Sequence, residues 1–139
     1  MTSGSVTISP QRRDEALAAL RRGTVPAASL DQLATGLGRF EAALGDELDS
    51  AARGAGVFKA VRGEYGSGKT FFSRWLQERA RRLGFVSSEV QVSETQTPLH
   101  RLETVYRRLC EHLATSDCRS GALRTVVDSW FYTLEQDVL

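Results

Sequence analysis

The chain is poor in cysteine and histidine and has no long apolar run. Its 139 residues include two cysteines and two histidines. Two cysteines near one end make no disulfide framework, so Cys110 and Cys118 are predicted to be reduced thiols. Together with His100 and His112 they match no common spacing of zinc ligands. We therefore expect ordinary helical positions for these four residues, either solvent-facing or in the core.

No apolar run approaches the length of a membrane span, and the first residues lack the charged and apolar regions of a secretory signal. A cytoplasmic protein without a membrane partner is therefore predicted. The 18 basic and 17 acidic residues give a net charge of +1, so the whole chain carries no basic field. Direct DNA binding through the arginines is the least supported function, because no recognition-helix pattern accompanies them.

Lysine is scarce, and one of the few lysines stands in the most specific motif of the sequence. The chain has two lysines against sixteen arginines. Lys69 is part of an octapeptide that fits G-x-x-x-x-G-K-[ST], the Walker A phosphate loop of nucleoside-triphosphate-binding proteins. Its members are Gly63, Glu64, Tyr65, Gly66, Ser67, Gly68, Lys69 and Thr70. In such loops the glycines let backbone N–H groups face a phosphate, the lysine charge reaches the terminal oxygens, and the Thr70 hydroxyl can ligate Mg²⁺.

The residues around the octapeptide favour a strand before it and a helix after it. Residues 57–62 alternate and are rich in β-branched and aromatic types, and apolar residues recur at helical spacing from Phe71 to Ala80. Residues 85–92 are predicted to form a second strand. The expected fold class is therefore α/β, an incomplete P-loop NTPase fold of strand, phosphate loop, helix and second strand, with N-terminal and C-terminal helices.

Helices are predicted on both sides of this core. Capping residues and apolar spacing place them at residues 11–22, from Ser29 or Asp31, at 37–52, after the loop to about 83, from Thr97-Pro98 to 113, and at 121–137. The apolar stripes of the last two are expected to pack in the core or to form a partner interface. The chain is accordingly divided into an N-terminal helical lead (1–56), a P-loop core (57–96) and a helical segment of the same domain (97–139).

The sequence lacks an evident acid to hold Mg²⁺ opposite the loop. Phosphoryl transfer uses an acid at the end of an apolar strand, and the nearest candidate, Asp128, lies in a segment with a helical pattern. Glu94 follows the second predicted strand, where ligands bind in open α/β sheets, and is the candidate for orienting a catalytic water; an exposed loop carboxylate is the alternative. Because two strands alone would leave unpaired backbone edges, we expect the chain to be the N-terminal part of a larger ATPase domain, or a truncated product of one.

Three segments, residues 21–26, 58–72 and 92–99, together resemble the start of the ATP-binding proteins of BREX phage-resistance systems. The resemblance implies an ATPase of the additional-strand class, which includes the AAA-type proteins, acting in bacterial defence. It favours ATP with Mg²⁺ as cofactors and other phage-defence proteins as partners. It also implies that Val25 and Pro26 lie against the adenine. Members of the family are several times longer, so the metal-binding acid and any arginine finger would lie beyond Leu139.

Two functions remain open at this point. The first is ATP binding through the phosphate loop, with hydrolysis dependent on residues that this sequence does not contain. The alternative is a non-catalytic helical interaction module that keeps a vestigial nucleotide site. Nucleotide affinity separates them, because only the first function requires it.

Overall fold

The computed structural model describes residues 9–26 and 30–138. The chain divides into two compact units, residues 1–78 and residues 79–139. The helices in the described residues are α1 (Pro10–Arg21), a 3₁₀ turn (Leu30–Gln32), α2 (Gly38–Ala52), α3 (Lys69–Arg82), α4 (Leu102–Glu111) and α5 (Leu123–Val138). None of these described helices is long and apolar enough to span a membrane.

Helix α1 begins and ends as its capping residues predict. The Ser9 hydroxyl accepts a hydrogen bond from the Arg12 N–H at 3.4 Å, and Pro10 occupies the first helical position. Both features satisfy or remove N–H groups that a helix start leaves without a partner. Gly23 follows the helix with a φ of 68°, a left-handed conformation that glycine adopts without strain.

The core of the first unit lies between the 3₁₀ turn, α2 and α3. Leu30, Leu44 and Trp75 are almost fully buried there, with 2%, 4% and 1% of their surface exposed. The Trp75 Nε1–H donates to the Asp31 carboxylate at 2.7 Å, and the Leu30 N–H donates to the Glu78 carboxylate at 3.1 Å. These two bonds tie the 3₁₀ turn to α3, so they fix the helix whose first residue is Lys69.

The second unit is held by short backbone contacts between its loops. Ser87 and Ala114 exchange two N–H···O bonds of 2.9 and 2.8 Å, and the Ala122 N–H donates to the Leu113 carbonyl at 2.9 Å. Both alanines are buried. The Arg81 guanidinium at the end of α3 donates to the Ser87 hydroxyl at 2.8 Å. Small side chains and backbone pairing therefore form most of the buried part of this unit.

The predicted α/β fold is wrong, because the structure contains no strand in residues 9–26 and 30–138. The β pairing found there consists of two isolated bridges, Ser87 with Ala114 and Ser93 with Thr97. Residues 57–62 are irregular and exposed; Phe58 has 91% of its surface accessible. Alternation of side chains specifies two faces, but a strand also requires a neighbour for its backbone N–H and C=O groups. Neither this segment nor residues 85–92 forms a ladder with such a neighbour.

Two predicted helices are shorter than their patterns indicate. The stretch expected from Ser29 or Asp31 forms only the 3₁₀ turn, and Ser29 lies outside the described residues. Helix α4 begins at Leu102 rather than directly after Pro98. Residues before it are held in turns, since the Arg101 N–H donates to the Pro98 carbonyl at 3.0 Å.

The apolar stripes of α4 and α5 are exposed, so the expected core packing is wrong for them. Leu102 and Tyr106 on α4 have 76% and 71% of their surface accessible, and Trp130 and Phe131 on α5 have 58% and 54%. The spacing identified which residues share a helix face but not whether another element covers that face. The alternative of a partner interface stays a prediction.

Candidate functional site

The octapeptide forms a compact turn at the start of α3. The Ser67 N–H donates to the Glu64 carbonyl at 3.2 Å, and the Phe72 N–H donates to the Gly68 carbonyl at 2.9 Å. The first bond closes the turn and the second continues it into the helix. The helical side of the motif is therefore as expected, while an irregular segment stands in place of the predicted strand.

Two glycines give this turn its shape. Gly66 and Gly68 have φ values of 80° and 91°, which residues with a Cβ atom rarely adopt. A Cβ atom on Gly63 would lie 2.5 Å from the Ser67 hydroxyl oxygen. Of the two glycines that the motif fixes, Gly68 is required by the backbone conformation, and Gly63 leaves room for the Ser67 hydroxyl.

Lys69 folds back over the turn. Its Nζ donates to the Gly63 carbonyl and to the Glu64 carbonyl, each at 2.7 Å. An ammonium group has three donor protons. The two carbonyl oxygens that accept from Lys69 are uncharged. An anion that reached this ammonium would replace neutral acceptors with charged ones, which make the stronger hydrogen bonds.

The turn opens into a pocket of about 610 Å³ in the first unit. Four basic side chains line it, those of Arg39, Lys59, Arg62 and Lys69, and none of its lining residues is acidic. Lys59 also contacts the Glu47 carboxylate. A concave surface that concentrates one sign of charge raises the local concentration of ions of the other sign, so this pocket suits an anion.

Apolar and aromatic residues make up another part of the lining, called here the aromatic wall. Phe40 and Phe72 meet edge to face, with ring centroids 5.9 Å apart and planes at 74°. The Arg39 guanidinium carbon lies 4.7 Å from the centre of the Phe40 ring. Aliphatic side chains from the same unit complete the wall: Leu33, Leu37, Ala43 and Leu44. The pocket therefore combines cationic side chains with a surface for a flat apolar group, a combination typical of small-molecule sites.

The predicted site residues take different places relative to this pocket. Within the octapeptide, Gly63, Ser67, Gly68 and Lys69 line it. The other four residues of the motif do not line it; all eight are exposed, and Tyr65 is fully so. The predicted roles of Glu64, Tyr65 and Gly66 as phosphate contacts, and of Thr70 as a Mg²⁺ ligand, stay predictions.

Val25 and Pro26 lie in the first unit but not in the lining of the pocket. Pro26 is buried, and Val25 packs against the Leu30–Leu44–Trp75 cluster. The Arg74 guanidinium donates to the Val25 carbonyl at 3.4 Å. This packing does not test the predicted contact of Val25 and Pro26 with adenine, which stays a prediction.

Glu94 belongs to the second unit. It is exposed and occupies the turn between Ser93 and Thr97, whose backbones are paired. The Ser93 hydroxyl accepts the Gln96 N–H at 3.0 Å, which stabilises that turn. The role of Glu94 as a catalytic acid remains a prediction.

The other residues considered for metal binding also lie in the second unit. Cys110 and Cys118 are free, half-buried thiols, and the Cys118 thiol lies 3.1 Å from the Ser120 carbonyl. Within residues 9–26 and 30–138, no group of three or more His, Cys, Asp or Glu side chains is arranged to hold a metal ion.

Sequence reasoning missed most of the pocket lining. Lys59 and Arg62 precede the motif by only a few residues, and their charge was a usable signal. Arg39 and Phe40 come from α2, and nothing in their local pattern connects them with the octapeptide. Only the packing of α2 against α3 brings these residues to the loop.

Three features define a candidate nucleotide site. They are a turn that contains glycines with positive φ, a lysine that folds over this turn, and a pocket lined by basic and aromatic residues. A family model described as BREX system ATP-binding protein BrxC/D matches residues 8–139. The chain therefore belongs to the family of BREX system ATP-binding proteins, and the resemblance noted in its sequence is confirmed. Comparison with curated proteins and with solved structures found no match.

Proposed function

We propose that this chain binds MgATP in the pocket beside α3, with the Walker A octapeptide 63–70 holding the phosphates. The observation that carries the proposal is the lining of that pocket. Four basic side chains and no acidic one line it, together with part of the octapeptide and the Phe40–Phe72 pair. ATP has the matching composition, because a polyanionic chain is joined to a flat purine ring. Membership of an ATP-binding family supports ATP as the nucleotide.

The residues of the loop have separate roles in this proposal. Lys69 exchanges the Gly63 and Glu64 carbonyls for phosphate oxygens, which are charged acceptors. Backbone N–H groups of the turn and of the first residues of α3 face the phosphates, because a helix N-terminus leaves such donors without partners. The Thr70 hydroxyl ligates Mg²⁺, which keeps most of its other ligands as water and phosphate oxygen.

Calorimetric titration of the chain with MgATP, MgADP and adenosine tests this proposal. If phosphate contacts dominate, we expect MgATP to bind at least about 100-fold more tightly than adenosine, since charge-assisted hydrogen bonds contribute roughly 1.5–3 kcal/mol each. Omitting Mg²⁺ should weaken ATP but leave adenosine unchanged. Equal affinities for ATP and adenosine would contradict the proposal. A folded chain that ignores all three ligands would favour the helical interaction module instead.

The backbone of the loop gives a second prediction. Alanine at Gly68 has to adopt a φ near 91°, at a cost of about 1–2 kcal/mol, or the turn has to change shape. We expect Gly68→Ala to weaken MgATP binding by roughly 5- to 30-fold. Gly56→Ala is the matched control, because Gly56 is exposed, has open space around it and needs no positive φ. Equal affinities for the two variants would show that the observed turn is not the one that binds phosphate.

A further inference from the structure

The aromatic wall of the pocket contains one ring that is both fixed and accessible. Phe40 lies on α2 and lines the pocket, and 39% of its surface is exposed. Its ring rests edge to face on Phe72, which in turn packs on Trp75 with centroids 5.9 Å apart. Trp75 is 1% exposed. A continuous aromatic contact therefore connects Phe40 to the core and limits its movement.

The face of the Phe40 ring already accepts a planar group. The Arg39 guanidinium stands over it, 4.7 Å from the centroid, as planar cations do on aromatic faces. A purine ring is also planar and makes the same kind of contact, since every base has a π-face. A base that displaces the Arg39 guanidinium can therefore stack on this face of Phe40.

Few side chains at this end of the pocket could read the edge of a base by hydrogen bonds. The lining residues that belong to neither the loop nor the basic group are almost all apolar; Thr35 is the exception. Asn and Gln, the side chains that make paired hydrogen bonds to adenine, do not occur in this lining. Stacking is thus the contact that the wall offers.

We propose that Phe40 is the base-stacking residue of the nucleotide site, holding the purine ring in the pocket beside the octapeptide turn. This inference rests on the proposed MgATP binding and adds the place of the base. It differs from a base position at Val25 and Pro26, which lie outside the pocket lining.

The test compares two ligands that share the phosphates and differ in the base. MgATP and magnesium tripolyphosphate are titrated into the wild type and into Phe40→Ala. We expect the substitution to weaken MgATP by roughly ten-fold, the size of one base–aromatic stack, and to leave tripolyphosphate within about two-fold of the wild type. Phe40→Tyr keeps a π-face and should restore MgATP affinity. Phe58→Ala is the control, because Phe58 is 91% exposed and lies outside the lining.

Each other outcome has a separate meaning. A wild type that binds neither ligand overturns the proposed function and this inference with it. If the wild type binds both ligands and the ratio of MgATP affinity to tripolyphosphate affinity is the same in Phe40→Ala, only the base-stacking role is overturned. The same holds if Val25→Ala changes the ratio while Phe40→Ala does not. Parallel loss of both ligands in Phe40→Ala, not restored by Phe40→Tyr, would assign Phe40 to folding rather than to the base.

Discussion

Lys69→Ala is expected to weaken MgATP binding by at least about 100-fold. The substitution removes the only lysine of the phosphate loop, whose Nζ already lies within 2.7 Å of two loop carbonyls. Hydrogen bonds to charged groups contribute roughly 1.5–3 kcal/mol each, and an ammonium facing two phosphate oxygens makes more than one. Titration calorimetry at constant ionic strength measures the loss, because surface charge effects vary with salt.

The only other lysine of the chain provides the control. Lys59 lines the same pocket, but its Nζ contacts the Glu47 carboxylate. Part of its charge is therefore neutralised, and we expect Lys59→Ala to weaken MgATP by less than about ten-fold, in the range of exposed ion pairs. Equal losses in the two variants would mean that the pocket attracts the nucleotide by total charge, with no special role for the loop.

The largest loss of stability is expected for Trp75→Ala. Trp75 is 1% exposed, packs on Phe72 and donates its indole N–H to Asp31 at 2.7 Å. Truncation of a buried tryptophan typically costs about 3–5 kcal/mol, because it leaves a cavity and loses the transfer free energy of the ring. The free energy of unfolding, measured by urea titration with circular dichroism, should fall by this amount.

Two further variants separate the contributions to that loss. Trp130→Ala removes the other tryptophan, which is 58% exposed in the second unit, and should change the free energy of unfolding by less than about 1 kcal/mol. Trp75→Phe keeps most of the buried volume and removes the bond to Asp31, so we expect an intermediate loss. If Trp130→Ala is as harmful as Trp75→Ala, the burial described for Trp75 does not govern stability.

The elements that the sequence predicted correctly have local causes. Helix α1 follows from Ser9, Pro10 and Gly23, whose effects on helix ends act over a few residues. The octapeptide forms a turn at the start of α3 in which Gly66 and Gly68 adopt positive φ values, and its role as a phosphate loop stays a prediction. Helices α2, α3 and α5 agree with their apolar periodicity to within a few residues.

The features that sequence reasoning got wrong or missed depend on distant parts of the chain. Residues 57–62 have the composition of a strand, but pairing needs a second segment that composition does not reveal. The exposed stripes of α4 and α5 show the same limit, because amphipathicity does not specify a covering element. The position of Phe40 beside the loop depends on the contact of α2 with α3, which no local pattern encodes.

The position of the two lysines has a consequence for covalent chemistry. Every other basic side chain outside the two histidines is an arginine, and both lysines line the one pocket beside the loop. Side-chain amine acylation, whether by a laboratory reagent or by a metabolic acyl donor, is thereby confined to that pocket. Neutralising Lys69 in this way would remove the charge on which the proposed phosphate binding depends, so protection of the two lysines from labelling would report occupancy of the pocket.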